Sequence, residues 1–261
     1  VLPKAYWAIW GGDFYGSKLA RRTLRWRFKE LFKRNIIKNI GHIIGDNTKD
    51  VELIRSWYSP VQAELHRCFM YTSNIFKNPE NPYKRISGEN INILLGNSAD
   101  PSNNHFEALD ILRNHSESNF SIYSPLSYGI KEYGDAVEKY GKKHFGERFI
   151  AVNKFMELPD YLDFLSKIDI AIFAHDRQQA FGNIISLLGL GKKVFVKSNV
   201  TSYNYFLGIG IKIFPLHEFN LNTNFQEIEN NKIIVRSYFS DKNLRKSLEL
   251  IFEKPSGIFN E

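Results

Sequence analysis

The chain has 261 residues, enough for one large or two ordinary domains, and its 43% hydrophobic content allows a sizeable core. No window approaches ~18 consecutive apolar residues, which excludes a helix that spans a membrane; one cysteine, Cys68, excludes an internal disulfide or a cysteine metal cluster and fits a reducing compartment. The net charge of +7 is lopsided: residues 1–88 carry 16 Lys+Arg against 7 Asp+Glu, residues 89–261 carry 19 against 21, and so the first part points to an anionic partner such as nucleic acid, lipid headgroups or a phosphorylated substrate.

Along the chain, "AYWAIW" (Ala5–Trp10) predicts a strand that runs into a glycine loop, "GGDFYG". Because the chain reads at once into that strand from Val1, further sequence upstream is expected. Lys18–Lys38 has a helical and basic pattern, with Lys18, Arg22, Arg25 and Lys29 on one stripe and Leu24, Phe28 and Leu31 on another. Asp50 can cap a helix over 51–56, and Pro60 can open another over 60–69, which would carry Cys68 as a small buried residue. "NPENPYKRISGEN" (Asn78–Asn90) lacks an apolar period and reads as a linker. The expected domains are therefore 1–88 and 89–261.

Beyond the linker the rhythm is strand, helix, strand, helix. Strands are expected over 92–95, 121–124, 149–152, 168–174, 193–197 and 211–214. Helices are expected over 105–113, 129–145 with an interruption at Gly141, 158–167, 178–190, 201–207 and 241–252. Continuous apolar strands such as "DIAIFA" and "KKVFV" indicate an α/β fold with a parallel sheet covered on both faces. Ligands of such sheets bind beyond the carboxyl ends of the strands.

Two loops stand out there. In "ILLGNSADPSNNHFEAL" (Ile93–Leu109), Gly96 lets the backbone turn, Ser98, Ser102 and Asn103 offer donors, and a helix start offers unpaired N–H groups to an anion. His105 can add a donor. The alternative is a capped helix whose polar residues satisfy its own amides. In "AHDRQQAFGNI" (Ala174–Ile184), Arg177 can pair with a diphosphate, Gln178 or Gln179 with sugar hydroxyls, and Gly182 and Asn183 allow close backbone approach; the alternative is a solvated loop. Neither loop is a G-x-G-x-x-G or a Walker loop, and no D-x-D occurs in the chain.

These stretches, with "WAIWGGDFYG", "YSPLSYG" and "GKKVFV", resemble the bacterial 4-acetamido-4,6-dideoxygalactose (Fuc4NAc) transferases of enterobacterial common antigen synthesis, which have relatives in capsule and O-antigen clusters. The resemblance covers essentially the whole chain. It implies a GT-B-like α/β architecture, two Rossmann-like domains with a cleft between them, the N-terminal one incomplete in this chain. It further implies a TDP-sugar donor, an undecaprenyl-diphosphate-linked acceptor and a peripheral position at the cytoplasmic face of the bacterial inner membrane. On that reading Asn97 and Ser98 lie near the donor, "SPLSYG" with Tyr128 and "KFMEL" with Phe155 frame the base, and "RQQAFGN" carries diphosphate and sugar. Phe155 would stack on the base unless it is a core residue. No metal or other cofactor is expected: helix dipole, Arg177 and polar side chains neutralise the leaving diphosphate.

On the acceptor side, Asp13 is a candidate general base, or else a helix cap, and His105 is a second candidate for base or phosphate contact. The basic helix carries nine Lys/Arg and one acid, Glu30, with Trp26, Phe28, Phe32 and Ile36 interleaved. That mix suits an anionic membrane surface contacted through Arg22, Arg25, Trp26 and Lys29, or alternatively a solvated face with its aromatics in the core. Two other functions remain open: a GT-B-fold sugar-nucleotide epimerase or hydrolase, and a basic nucleic-acid-binding protein. The latter is not expected, because the usual recognition signatures are absent.

Overall fold

The structure, a computed structural model, describes residues 1–19, 23–86 and 88–253, the side chains of 17–19 excepted. Two compact units divide it: Val1–Ile75 with the segment from Phe239, and Phe76–Tyr238. The division falls at 75/76 rather than at 88, and the chain's last helix belongs to the first unit. The expected linker joins the second unit because its side chains are pinned there. Asn81 donates to Asp163 through both N and Nδ2 (2.9 Å each), and Arg85 is ion-paired with the buried Asp169.

In unit 1, β1 (Tyr6–Ala8), β2 (His42–Ile44) and β3 (Glu64–His66) form a parallel sheet in that order. α1 (Gly11–Leu19) and α2 (Leu24–Asn39) replace the glycine loop and the single basic helix. Glycine is a poor helix former, but Phe14 and Tyr15 on α1 are buried against Trp57, and tertiary packing overrides the local preference. The Thr23 hydroxyl accepts from Trp26 N at 3.1 Å, which starts α2 afresh. α3 (Thr48–Tyr58) is capped by Asn47 rather than Asp50; the buried Asp50 accepts from the Tyr15 hydroxyl instead. No helix follows Pro60: residues 64–66 pair with β2 as a strand. Cys68 lies beyond that strand, and its burial raises the thiol pKa.

In unit 2, β4 (Ile91–Leu95), β5 (Phe120–Pro125), β6 (Phe149–Val152), β7 (Ile170–Phe173), β8 (Lys193–Val196) and β9 (Phe214–Pro215) form a parallel sheet of order β6-β5-β4-β7-β8-β9. This is the doubly wound order, with its switch point between β4 and β7. The intervening helices are α4 (His105–Arg113), α5 (Lys131–Phe145), α6 (Leu158–Ser166), α7 (Phe181–Gly189) and α8 (Thr201–Gly208). α5 runs unbroken through Gly141, where a Cβ would come within 2.4 Å of the Phe149 ring: the glycine serves helix–strand contact. Strands β7 and β8 are buried throughout, which accounts for their continuous apolar runs. α9 (Glu229–Tyr238) has no counterpart in the expected elements; it is anchored by Asn231, whose amide exchanges two hydrogen bonds with the Lys212 backbone (2.8 and 2.7 Å). α10 (Asp241–Phe252) closes the described chain within unit 1.

Candidate functional site

The switch point brings the two polar loops together. The first, after β4, turns at Gly96 with φ +67°; a Cβ there would lie 2.6 Å from His105 Nε2 and 2.9 Å from Asn103 Oδ1. Asn103 organises the loop. Its Oδ1 accepts from Asn97 N (2.9 Å) and its Nδ2 donates to the Ser98 hydroxyl (3.1 Å). Across the switch, His175 Nε2 lies 3.0 Å from the same Oδ1, which requires that ring nitrogen to carry the proton. Ser102 Oγ lies 2.9 Å from Gln179 Oε1, and Asn104 donates to Ala174 O and Asp176 (2.8 Å each). The loops behind Gly96 and around Arg177 are thus one hydrogen-bonded construction.

The two helix starts are nevertheless unlike. At α4, His105 is fully buried, its Nδ1 is 3.3 Å from the Tyr133 hydroxyl, and that hydroxyl also accepts from His105 N at 3.4 Å. Burial pushes the His105 pKa down to about 4. This imidazole is a neutral strut under Gly96, not an acid, a base or a phosphate donor at the surface. Ser98 and Asn103 are also buried, and Asn103 is consumed in holding the loop. Both N-caps are left-handed, Asn104 at φ +50° and Ala180 at φ +56°, and neither makes a side-chain cap; α4 differs in that the Tyr133 hydroxyl takes its first N–H, that of His105. The first-turn N–H groups of Phe181, Gly182 and Asn183 are those that an uncapped start presents. A non-glycine residue at positive φ beside such a start is backbone strain of the kind found at ligand sites.

Arg177 and Gln178 are half-buried on the same loop, with Arg177 Nη1 donating to Gln178 O at 3.2 Å. The Ser102 hydroxyl holds the Asp100 carboxyl below its usual range, helped by the Ser102 N–H and by Arg177. Tyr128, in the loop after β5, is exposed and accepts from Asn97 Nδ2 at 3.0 Å. Phe155 follows β6 and is 67% exposed, so it is not a core residue. All these residues follow the carboxyl ends of β4 to β7. Four more that the sequence reading did not single out complete the frame: Asp100, Asn104, Asp176 and Lys197, whose ammonium bridges Asp176 (2.7 Å) and Glu107 (2.6 Å). Of these, Asp100 within G-N-S-x-D, Asn104 just before a helix and Asp176 within the polar run 175–179 carried a local signal, and Lys197 did not.

In unit 1, Asp13 stands in the first turn of α1, and its Oδ2 accepts from Trp10 N (3.0 Å) and Trp7 Nε1 (3.3 Å). That is the geometry of a residue that reaches back to cap its own helix. α2 is turned inside out. Glu30 and Ile37 are its buried residues, whereas Leu24, Phe28, Leu31, Phe32 and Ile36 are exposed on one face. Arg25 and Lys29 are exposed beside that face, and Trp26 is half-buried, donating to Gly16 O at 3.2 Å. Arg22 lies outside the described residues. No helix among the described residues is long and apolar enough to cross a membrane.

Solved structures share this architecture. Sucrose-phosphate synthase from Thermosynechococcus elongatus aligns with a TM-score of 0.68 at 14% identity, over 95% of this chain and 66% of its own. Anabaena HepE in complex with UDP and glucose aligns with a TM-score of 0.68 at 10% identity, over 95% and 71%. WaaG, a glycosyltransferase involved in lipopolysaccharide biosynthesis, aligns with a TM-score of 0.62 at 12% identity, over 95% and 75%. The chain therefore spans about two thirds to three quarters of these proteins, and its fold is that of GT-B glycosyltransferases. The model of one family, 4-alpha-L-fucosyltransferase glycosyl transferase group 56, matches residues 2–206, most of the chain, and the protein belongs to that family.

Proposed function

We propose that the protein transfers a 4-acetamido-4,6-dideoxy-hexose (Fuc4NAc-like) from a TDP-sugar to an undecaprenyl-diphosphate-linked saccharide in surface polysaccharide synthesis. It would do so without a metal, bound peripherally at the cytoplasmic face of the bacterial inner membrane. The observation that carries the donor side is the pair of hydrogen-bonded loops at the switch point, which leave the start of α7 uncapped beside Arg177. A nucleotide-sugar donor is supported by HepE, which has this fold and was solved with UDP and glucose.

In the reaction an acceptor hydroxyl oxygen attacks the anomeric carbon, the bond from that carbon to the diphosphate breaks, and TDP leaves with the electron pair. Charge that develops on the diphosphate falls to the α7 amides and the Arg177 guanidinium. Loss of one such donor costs ~3 kcal/mol of the barrier, about 10²-fold in rate. Gln178 or Gln179 holds the sugar, with Ser102 as the alternative partner of Gln179, and Tyr128 and Phe155 offer exposed ring faces to the base. Asp13 takes the acceptor proton; its cap geometry leaves it exposed in unit 1. Membrane contact rests on the outward apolar face of α2 with Arg25 and Lys29 beside it.

TDP, in preference to UDP or GDP, is expected to raise the melting temperature, and Arg177→Ala to remove most of that shift. No shift with any of the three nucleotides would overturn the donor assignment.

A further inference from the structure

We propose that unit 1 holds a divalent transition-metal site, best suited to Zn²⁺, on the face of its small sheet: His42, Glu64 and His66 converge there. The register makes the cluster. His42 pairs with Glu64, Ile44 with His66 and Tyr6 with His42, and residues two apart on a strand share a face. Tyr6, His42, Glu64 and His66 therefore lie on one side.

Their ligand atoms meet. His42 Nδ1 is 3.0 Å from His66 Nε2 and 3.4 Å from Glu64 Oε2, and the last two atoms are 4.0 Å apart. A triangle of those edges has a point about 2.1 Å from every corner, the length of Zn–N and Zn–O bonds. The three ligand atoms all lie within 4.8 Å of one another, two imidazole nitrogens and a carboxylate oxygen. A cation satisfies all three. Two imidazoles and a carboxylate are the donor set of an open zinc site, with solvent in the remaining position, and the Glu64 side chain is 67% exposed.

The rings are held in place beforehand. Tyr6 stacks on His42 with centroids 4.2 Å apart and planes 12° apart, and tilts against His66 at 5.5 Å; Phe252 of α10 packs on Tyr6 at 5.2 Å. An ion here ties β2 to β3 in a sheet of three-residue strands. This assignment is independent of the sugar-transfer reading and of any metal in that chemistry.

The test uses tag-free, full-length protein freed of metal with EDTA. One equivalent of Co²⁺ is expected to give the visible d–d absorption of a four- or five-coordinate ion. One equivalent of Zn²⁺ should displace it and raise the melting temperature. Glu64→Gln, an exposed change that leaves the fold intact by circular dichroism, and His66→Gln should each abolish the band. His217→Gln, at an exposed histidine elsewhere, should keep it. Absence of the band in the unaltered protein, its survival in Glu64→Gln, or its loss in His217→Gln would each overturn the site.

Discussion

At the scale of the residue, His105 shows how a polar side chain at a polar loop beyond a strand end can serve structure. Its ring is buried and its pKa is lowered to about 4 from 6.5. The folded protein keeps it neutral while the unfolded chain binds a proton below pH 6.5. Stability is therefore lost as pH falls from about 6.5 to about 4 and levels off below, by up to ~3 kcal/mol. His105→Gln removes this dependence. The gap in unfolding free energy between the unaltered protein and the variant, measured in urea at pH 7 and pH 4 with chelator present, should narrow by that order at the lower pH. A constant gap would mean that the ring is already protonated or reachable by water.

Asp13 poses the opposite question, whether a capping residue also reacts. Asn keeps an oxygen for Trp10 N but cannot take a proton, whereas Ala loses both. Asp13→Ala should cost about 1 kcal/mol of stability. Asp13→Asn should melt like the unaltered protein and lose about 10²–10⁴-fold in turnover. Full turnover in the Asn variant would confine Asp13 to the helix end.

At the scale of the element, α2 departs from ordinary amphipathic logic, in which the apolar stripe faces the core. Because Phe28 and Phe32 pack on each other in the open, 5.0 Å between ring centroids, their replacement by Ser should leave stability nearly unchanged. It should weaken flotation with vesicles that contain anionic lipid. Arg25→Glu with Lys29→Glu should weaken it further, by ~1 kcal/mol or more per cation, about fivefold each. Binding that salt abolishes and the Ser changes do not touch would reduce α2 to a charged surface.

Elements also decide what could be read in advance. Strands β7 and β8 were legible because burial on both faces writes an unbroken apolar run, and α4 and β6 agree with expectation to the residue because their pattern is local. β3 was not: Glu64-Leu65-His66 lies in a stretch with helical spacing, and only pairing with β2 makes it a strand. α1 was hidden by its glycines and exists through the burial of Phe14. The loops were recognised as polar and adjacent to helices, but which side chains face a ligand is a long-range matter. His105 and Asn103 turn inward to meet Tyr133 and His175, residues 28 and 72 positions away.

At the scale of the whole molecule, the division into two units makes a prediction about where a donor acts. All four tryptophans, Trp7, Trp10, Trp26 and Trp57, lie in unit 1, and the switch-point loops lie in unit 2. Tryptophan fluorescence therefore reports the melting of unit 1, while far-ultraviolet circular dichroism sums over both. Phe239, fully buried against Phe69 at 5.4 Å, belongs to unit 1 although it follows unit 2 in the chain. Truncating such a ring costs ~3–5 kcal/mol. Phe239→Ala should therefore lower the fluorescence midpoint by more than the dichroism midpoint. TDP should do the reverse, raising the dichroism midpoint by more than the fluorescence one, because a ligand stabilises the part that binds it. A TDP shift confined to the tryptophan signal would move the nucleotide off the β4–β7 switch and into unit 1, and the roles given to Arg177 and α7 would fall with it.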